Sequence, residues 1–145
     1  MKKILYLVGV DGSDFSHRAV AKAVGLAKKV EAIVHLVAIV KWSKYKLLHM
    51  TDIDIPPENA EKEEAIERKE LLQPLLDKYA DSGVKMTTSF KWGDPADELK
   101  KETKHSKANM IFVGRRGGSA TLDLLMGSVA SKLAHNIGVP IVLVP

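Results

Sequence analysis

Ile4-Leu5-Tyr6-Leu7-Val8-Gly9-Val10 is an unbroken apolar run, closed by Asp11-Gly12-Ser13 and followed by a helical pattern over Ser16–Lys29. A strand with one wet face alternates polar and apolar residues, whereas a strand covered on both faces does not. The run is therefore a strand in the middle of a parallel sheet. Three further runs have the same character: Ile33–Val40, Met110–Val113 and Ile141–Val144. Val84–Phe90 alternates, with Val84, Met86, Thr88 and Phe90 set against Lys85, Thr87 and Ser89, and is expected nearer an edge.

Helical patterns separate these runs. Ser16–Lys29 places Ala19, Val20, Ala23, Val24 and Ala27 on one face, with Ser16 as the expected N-cap. Asn59–Ala80 is long and charged, with Ala65, Ile66, Leu72, Leu75, Leu76 and Tyr79 as its buried stripe. Pro95–Lys104 follows Asp94, a cap with proline at the first helical position. Ser128–Ile137 carries Val129, Leu133 and Ala134, and Gly138 stands where a C-cap glycine belongs. The order β-α-β-α-β-α-β-α-β implies right-handed crossovers and an α/β three-layer sandwich, a five-stranded parallel sheet of order 3-2-1-4-5. Strands 1 and 4 then flank a switch point, where ligands bind beyond the carboxyl ends of the strands.

The chain has 145 residues, enough for one domain with a real core, and residues 1–145 are read as a single domain. Hydrophobic residues make up 46% and charged residues 28%, the balance of a soluble globular protein. The 22 basic and 18 acidic side chains are interspersed and leave only +4, which argues against nucleic acid, since that partner calls for a clustered basic face. The absence of cysteine excludes disulfides and thiolate chemistry. The first apolar run is too short to span a membrane and lacks a cleavage site, so a cytoplasmic protein without membrane attachment is expected.

The chemistry concentrates at the switch point. Met110–Val113 empties into Gly114-Arg115-Arg116-Gly117-Gly118, and Gly127-Ser128 opens the last helix. Glycines permit close backbone approach, and successive amides with a helix start form a concave anion site. The same glycines in isolation would mark only a tight turn. The loop lacks the Gly-Lys-Ser/Thr ending of a P-loop and the Gly-x-Gly-x-x-Gly of a dinucleotide turn. Asp11 either caps the turn after strand 1 or touches ribose, base or Mg²⁺, for which it is the single best metal candidate. The five histidines (His17, His35, His49, His105 and His135) show no metal spacing. Ser13 and His17 have no nucleophile elbow around them. Trp42 and Trp92 follow strand ends and either cover the core rim or stack on a base. Trp42–Pro57 is the one long connection, of the kind used as lids or partner surfaces.

The spacing Gly114-x2-Gly117-x9-Gly127-Ser128 resembles the signature of the ATP-binding branch of the universal stress protein family. The likeness extends to Lys3-Ile4-Leu5, Val10-Asp11-Gly12-Ser13, the charged second helix and Val139–Val144. It implies a flavodoxin-like sheet of the adenine nucleotide alpha hydrolase type, with ATP, or another adenine nucleotide, across the ends of strands 1 and 4. Carried onto this chain, Val10 and Asp11 line base and ribose, and Ala38 offers backbone to adenine. Val113, Gly114, Arg116 and Gly117 border ribose and phosphates, while Gly127, Ser128, Val129 and Ala130 hold the phosphates. Arg115 replaces the small residue usual after the first glycine and either grips phosphate or crowds the loop; Gly9 stands where relatives carry proline or alanine.

The resemblance also implies a homodimer through Ile141–Val144, paired antiparallel with its copy. An exposed apolar edge strand would otherwise be an association hazard. The expected function is a homodimeric, ATP-binding stress-response regulator with at most slow hydrolysis or autophosphorylation, since no base for attack on the γ-phosphate stands out. The rival readings are a nucleotide-independent interaction module with an unknown protein partner, and a slow ATPase.

Overall fold

The computed structural model describes residues 3–41, 60–116 and 127–145. The Trp42–Pro57 connection, the first residue of the expected second helix (Asn59), and Gly117 and Gly118 lie outside the described residues.

Five strands, β1 (Leu5–Val10), β2 (Ile33–Val40), β3 (Met86–Trp92), β4 (Met110–Gly114) and β5 (Ile141–Val144), form one sheet in the order β3-β2-β1-β4-β5. Every pairing is parallel, as the continuous apolar runs require. The alternating strand β3 lies at an edge, as expected. Among the described residues, helices α1 (Asp14–Val30), α2 (Ala60–Leu71), α3 (Gln73–Lys78), α4 (Pro95–Ser106) and α5 (Ser128–Asn136) cover the sheet.

Period-two alternation along each strand splits the core into two layers. Tyr6, Val8 and Val10 of β1 and Leu36 and Ala38 of β2 pack with Ala19, Val20, Ala23, Val24 and Ala27 of α1 and with Leu72 and Leu75. Leu7 of β1 and Val37 and Ile39 of β2 face the other way, toward Ala96 and Leu99 of α4 and Ala130 and Leu133 of α5. The α1 stripe read from the sequence is thus the buried one.

Local signals departed from expectation at four places. Ser13, not Ser16, caps α1: its backbone is extended and its Oγ accepts from the Ser16 N–H at 3.2 Å. Ser16 instead sits buried in the first turn, with its hydroxyl donating to Ser13 O. The long second helix is two helices, because Pro74 has no N–H and its ring collides with a preceding carbonyl, so the helix restarts at Gln73. On α2 it is Glu67 that is buried, while Ala65 and Ile66 are exposed. Gly138 does not close α5, whose C-cap is Ile137 in extended backbone. The left-handed caps belong to Glu31 (φ 58) and Lys107 (φ 57), after α1 and α4. No helix among the described residues is long and apolar enough to cross a membrane.

Candidate functional site

The strand order reverses between β1 and β4, and their carboxyl ends open together. At the end of β1, Asp11 Oδ1 accepts from the Ser13 N–H at 2.9 Å and from Ser13 Oγ at 2.5 Å. The turn passes through Gly12 at φ +83, a conformation that a side chain would strain. Asp11 therefore orders the turn into α1, the simpler of its two expected roles, while also facing the cavity described below.

At the end of β4 the chain leaves the sheet and returns to the same point. The Arg115 N–H donates to Val144 O at 2.7 Å, and the Gly127 N–H donates to Arg115 O at 2.7 Å. The main chain of one residue, Arg115, thus joins β5, the loop and the start of α5. Gly127 is the N-cap of α5, with φ −70 and ψ 162; the first helical hydrogen bond runs from Ser131 N–H to Gly127 O. The amides of Ser128, Val129 and Ala130 precede that bond, and a glycine cap has no side chain to satisfy them. At α1 and α4, by contrast, Ser13 and Asp94 fill that role themselves, and acidic residues occupy the first turn. The first turn of α5 has no acidic residue, so its positive end is available to an anion.

Between these ends lies a cavity of about 250 Å³. Its walls are chiefly apolar: Val37 and Ile39 from β2, Pro95 and Leu99 from α4, Val113 from β4 and Val129 from α5. Polar groups enter at the rim, namely Asp11, Ser16, Lys41, Arg116 and Ser128. An apolar chamber with a few converging polar groups is the usual form of a small-molecule site, though this volume falls just below the roughly 300–1,000 Å³ that is typical. On the described lining two cations, Lys41 and Arg116, stand against one carboxylate, a balance that favours an anionic ligand.

Of the residues singled out in the sequence, Val10, Asp11, Val113, Gly114, Arg116, Gly127, Ser128, Val129 and Ala130 border this cavity. Ala38 and Arg115 do not. Ala38 is fully buried in the layer beneath α1, because its neighbours Val37 and Ile39 take the cavity face. Arg115 is exposed, and its main chain bridges β5 and α5. Gly114 has a structural reason to be glycine: a Cβ there would lie 2.6 Å from Phe15 Cβ and 2.8 Å from Arg116 O. Gly9 borders the cavity too, and a Cβ on it would come within 3.0 Å of Leu99.

Lys41 was missed in the sequence, although it is the first charge after the β2 run and its strand ends at the same edge as β1. Pro95 and Leu99 carry no such signal, since only tertiary packing brings α4 here. Among the described residues no group of three or more His, Asp or Glu side chains is placed to hold a metal ion. Asp11 is the one carboxylate on the described lining.

The chain matches the universal stress protein family over residues 1–145. A universal stress protein of Bacillus subtilis, YxiE, is 31% identical over 145 residues, covering 95% of this chain and 96% of that protein. This chain belongs to the universal stress protein family. Among solved structures, that of hypothetical protein MJ0577 superposes with a TM-score of 0.83 at 17% identity, covering 99% of this chain and 96% of that one. Two universal stress proteins solved as nucleotide complexes share the fold. One, from Archaeoglobus fulgidus with dAMP, has a TM-score of 0.73 at 19% identity and covers both chains fully. The other, with cAMP, has a TM-score of 0.66 at 24% identity and covers 100% of this chain and 98% of its own.

Proposed function

We propose that this chain is an adenine-nucleotide-binding regulator whose ligand is ATP, held at the cavity between β1 and β4. The observation that carries this reading is the return of the chain at Gly127 onto Arg115, which sets the uncapped first turn of α5 beside Gly114 and Arg116 at the mouth of an apolar chamber. The chamber suits a purine, and Ser128–Ala130 amides with the Arg116 guanidinium suit phosphates. Related folds with adenine mononucleotides bound support the choice of base. A Mg²⁺ ion would be held chiefly by phosphate oxygens, with Asp11 as the protein carboxylate and its charge the protein's contribution. Asp11 Oδ1 already accepts two hydrogen bonds from Ser13, and no histidine borders the described lining, so no side chain there is set to activate water. Hydrolysis or self-phosphorylation is accordingly slow, and occupancy rather than turnover is the signal. Edge strand β5, with Ile141, Val142 and Leu143 half-buried, pairs with its copy in a homodimer.

Calorimetric titration of nucleotide-free protein with ATP and Mg²⁺ tests the reading. Saturable binding below millimolar concentration is expected, lost in Gly127→Val. No heat at millimolar ligand overturns it. The rival reading, an interaction module indifferent to nucleotide, predicts no adenine nucleotide in the denatured supernatant of freshly purified protein, as judged by mass spectrometry.

A further inference from the structure

Away from the cavity, the same face of the sheet carries a buried polar chain. His35 on β2 is 8% exposed and Glu102 on α4 is 7% exposed, and His35 Nε2 lies 3.0 Å from Glu102 Oε1. On its other side His35 Nδ1 lies 2.6 Å from Oγ1 of Thr87, its register partner on β3. Ser89 Oγ is 3.1 Å from His35 Nε2 and donates to Glu102 Oε1 at 3.3 Å. Thr87 itself is exposed.

A carboxylate only accepts, so with Glu102 as the carboxylate and His35 as the neutral imidazole the ring proton is assigned to Nε2, facing Glu102. Nδ1 is then a bare lone pair, and the Thr87 hydroxyl donates to it. Hydroxyl, imidazole and carboxylate stand in series, with the hydroxyl at the solvent end and the carboxylate at the buried end. That is the arrangement by which a weak oxygen nucleophile is activated.

We propose that Thr87 is a self-acylation site that accepts an acyl group from small activated esters or acyl phosphates. Thr87 Oγ1 attacks the carbonyl carbon and forms an ester bond while its proton passes to His35 Nδ1. The bond from that carbon to the leaving oxygen breaks, and the leaving group takes the proton from His35. Glu102 is a positioning residue: it holds the tautomer and stabilises the transient imidazolium. Thr87 is not on the cavity lining, so the inference is independent of nucleotide binding.

Full-length protein incubated with p-nitrophenyl acetate, digested and sequenced by mass spectrometry gives the test. Thr88 is the internal control, because it points to the opposite face of β3. A positioned general base contributes about 10²–10⁴ in rate, so acetylation at Thr87 is expected about 100-fold faster than at Thr88. Glu102→Gln offers an amide donor to Nε2, permits the opposite tautomer and removes the base, so the Thr87 advantage falls to near unity. Thr87→Ser keeps the labelling. Equal rates at Thr87 and Thr88 in the natural protein, or an undiminished ratio in a folded Glu102→Gln variant, overturn the proposal and leave the cluster a buried polar packing device. If Glu102→Gln fails to fold, the Thr87-to-Thr88 ratio in natural protein still decides.

Discussion

Replacing Gly114 by alanine separates two reasons for a glycine at the ligand end of β4. If the residue is small to admit a nucleotide, Gly114→Ala leaves the apo protein as stable as before and loses affinity. The structure gives a different reason. The added methyl would lie 2.6 Å from Phe15 Cβ, 2.9 Å from Phe15 C and 2.8 Å from Arg116 O, all closer than real Cβ atoms approach. None of the three atoms moves with a side-chain rotamer, so the strain falls on the backbone of β4 and on the first turn of α1. Overpacking of this kind costs about 1–3 kcal/mol, and rigid surroundings place Gly114→Ala at the upper end. Near 150 residues, 1 kcal/mol shifts Tm by about 2–4 °C, so a cost of ~3 kcal/mol lowers Tm by roughly 6–12 °C. Urea unfolding of nucleotide-free protein, followed by far-UV circular dichroism, reads the cost directly. Phe15→Ala in the same chain brings no relief, because Cβ is retained. A Gly114→Ala variant within about 0.5 kcal/mol of the natural protein would refute this packing account.

Other outcomes follow from neighbouring features. Gly25 lies inside α1 with open space where a Cβ would sit, so Gly25→Ala raises unfolding free energy by roughly 0.5–1 kcal/mol in the same urea assay. Glu31 closes α1 in the left-handed region, and Glu31→Gly relieves about 1 kcal/mol of backbone cost, visible as a higher urea midpoint. Gly127 has φ −70, open to every residue, but valine is a poor N-cap, so Gly127→Val costs about 1 kcal/mol and lowers Tm by roughly 2–4 °C while abolishing the calorimetric ATP signal. Lys41→Glu reverses a charge at the cavity rim and weakens ATP binding roughly 3–10-fold at low salt, a difference that shrinks as salt is added.

Where side chains repeated with a period, the sequence was legible. Leu5–Val10 and Ile33–Val40 had no polar face to offer water, and both are interior strands. Ala19, Val20, Ala23, Val24 and Ala27 recur at helical spacing, and all five are buried. Single-residue signals were less dependable. Ser16 was read as the cap of α1, but the turn that Asp11 orders places Ser13 there and leaves Ser16 buried in the first turn. Ile66 looked like core on α2, but Glu67 is the residue buried there and Ile66 is exposed.

The candidate site divides along the same line. Gly127–Ala130 and Val113–Gly114 were visible as a loop and a helix start beside a strand end. Ala38 was named for its backbone; its side chain packs beneath α1, and the side chains of Val37 and Ile39, one residue to either side, take the cavity face. Lys41, Pro95 and Leu99 come from other elements altogether.

The sequence by itself determined the order of strands and helices, the parallel sheet and the edge at which a ligand would enter, because burial periodicity and crossover handedness are local consequences of chain chemistry. Only the tertiary structure decided which side chains meet there, that Gly114 is glycine for the sake of Phe15, and that His35, Thr87 and Glu102 stand in line. Those facts depend on distances between residues far apart in the chain, which no local pattern encodes.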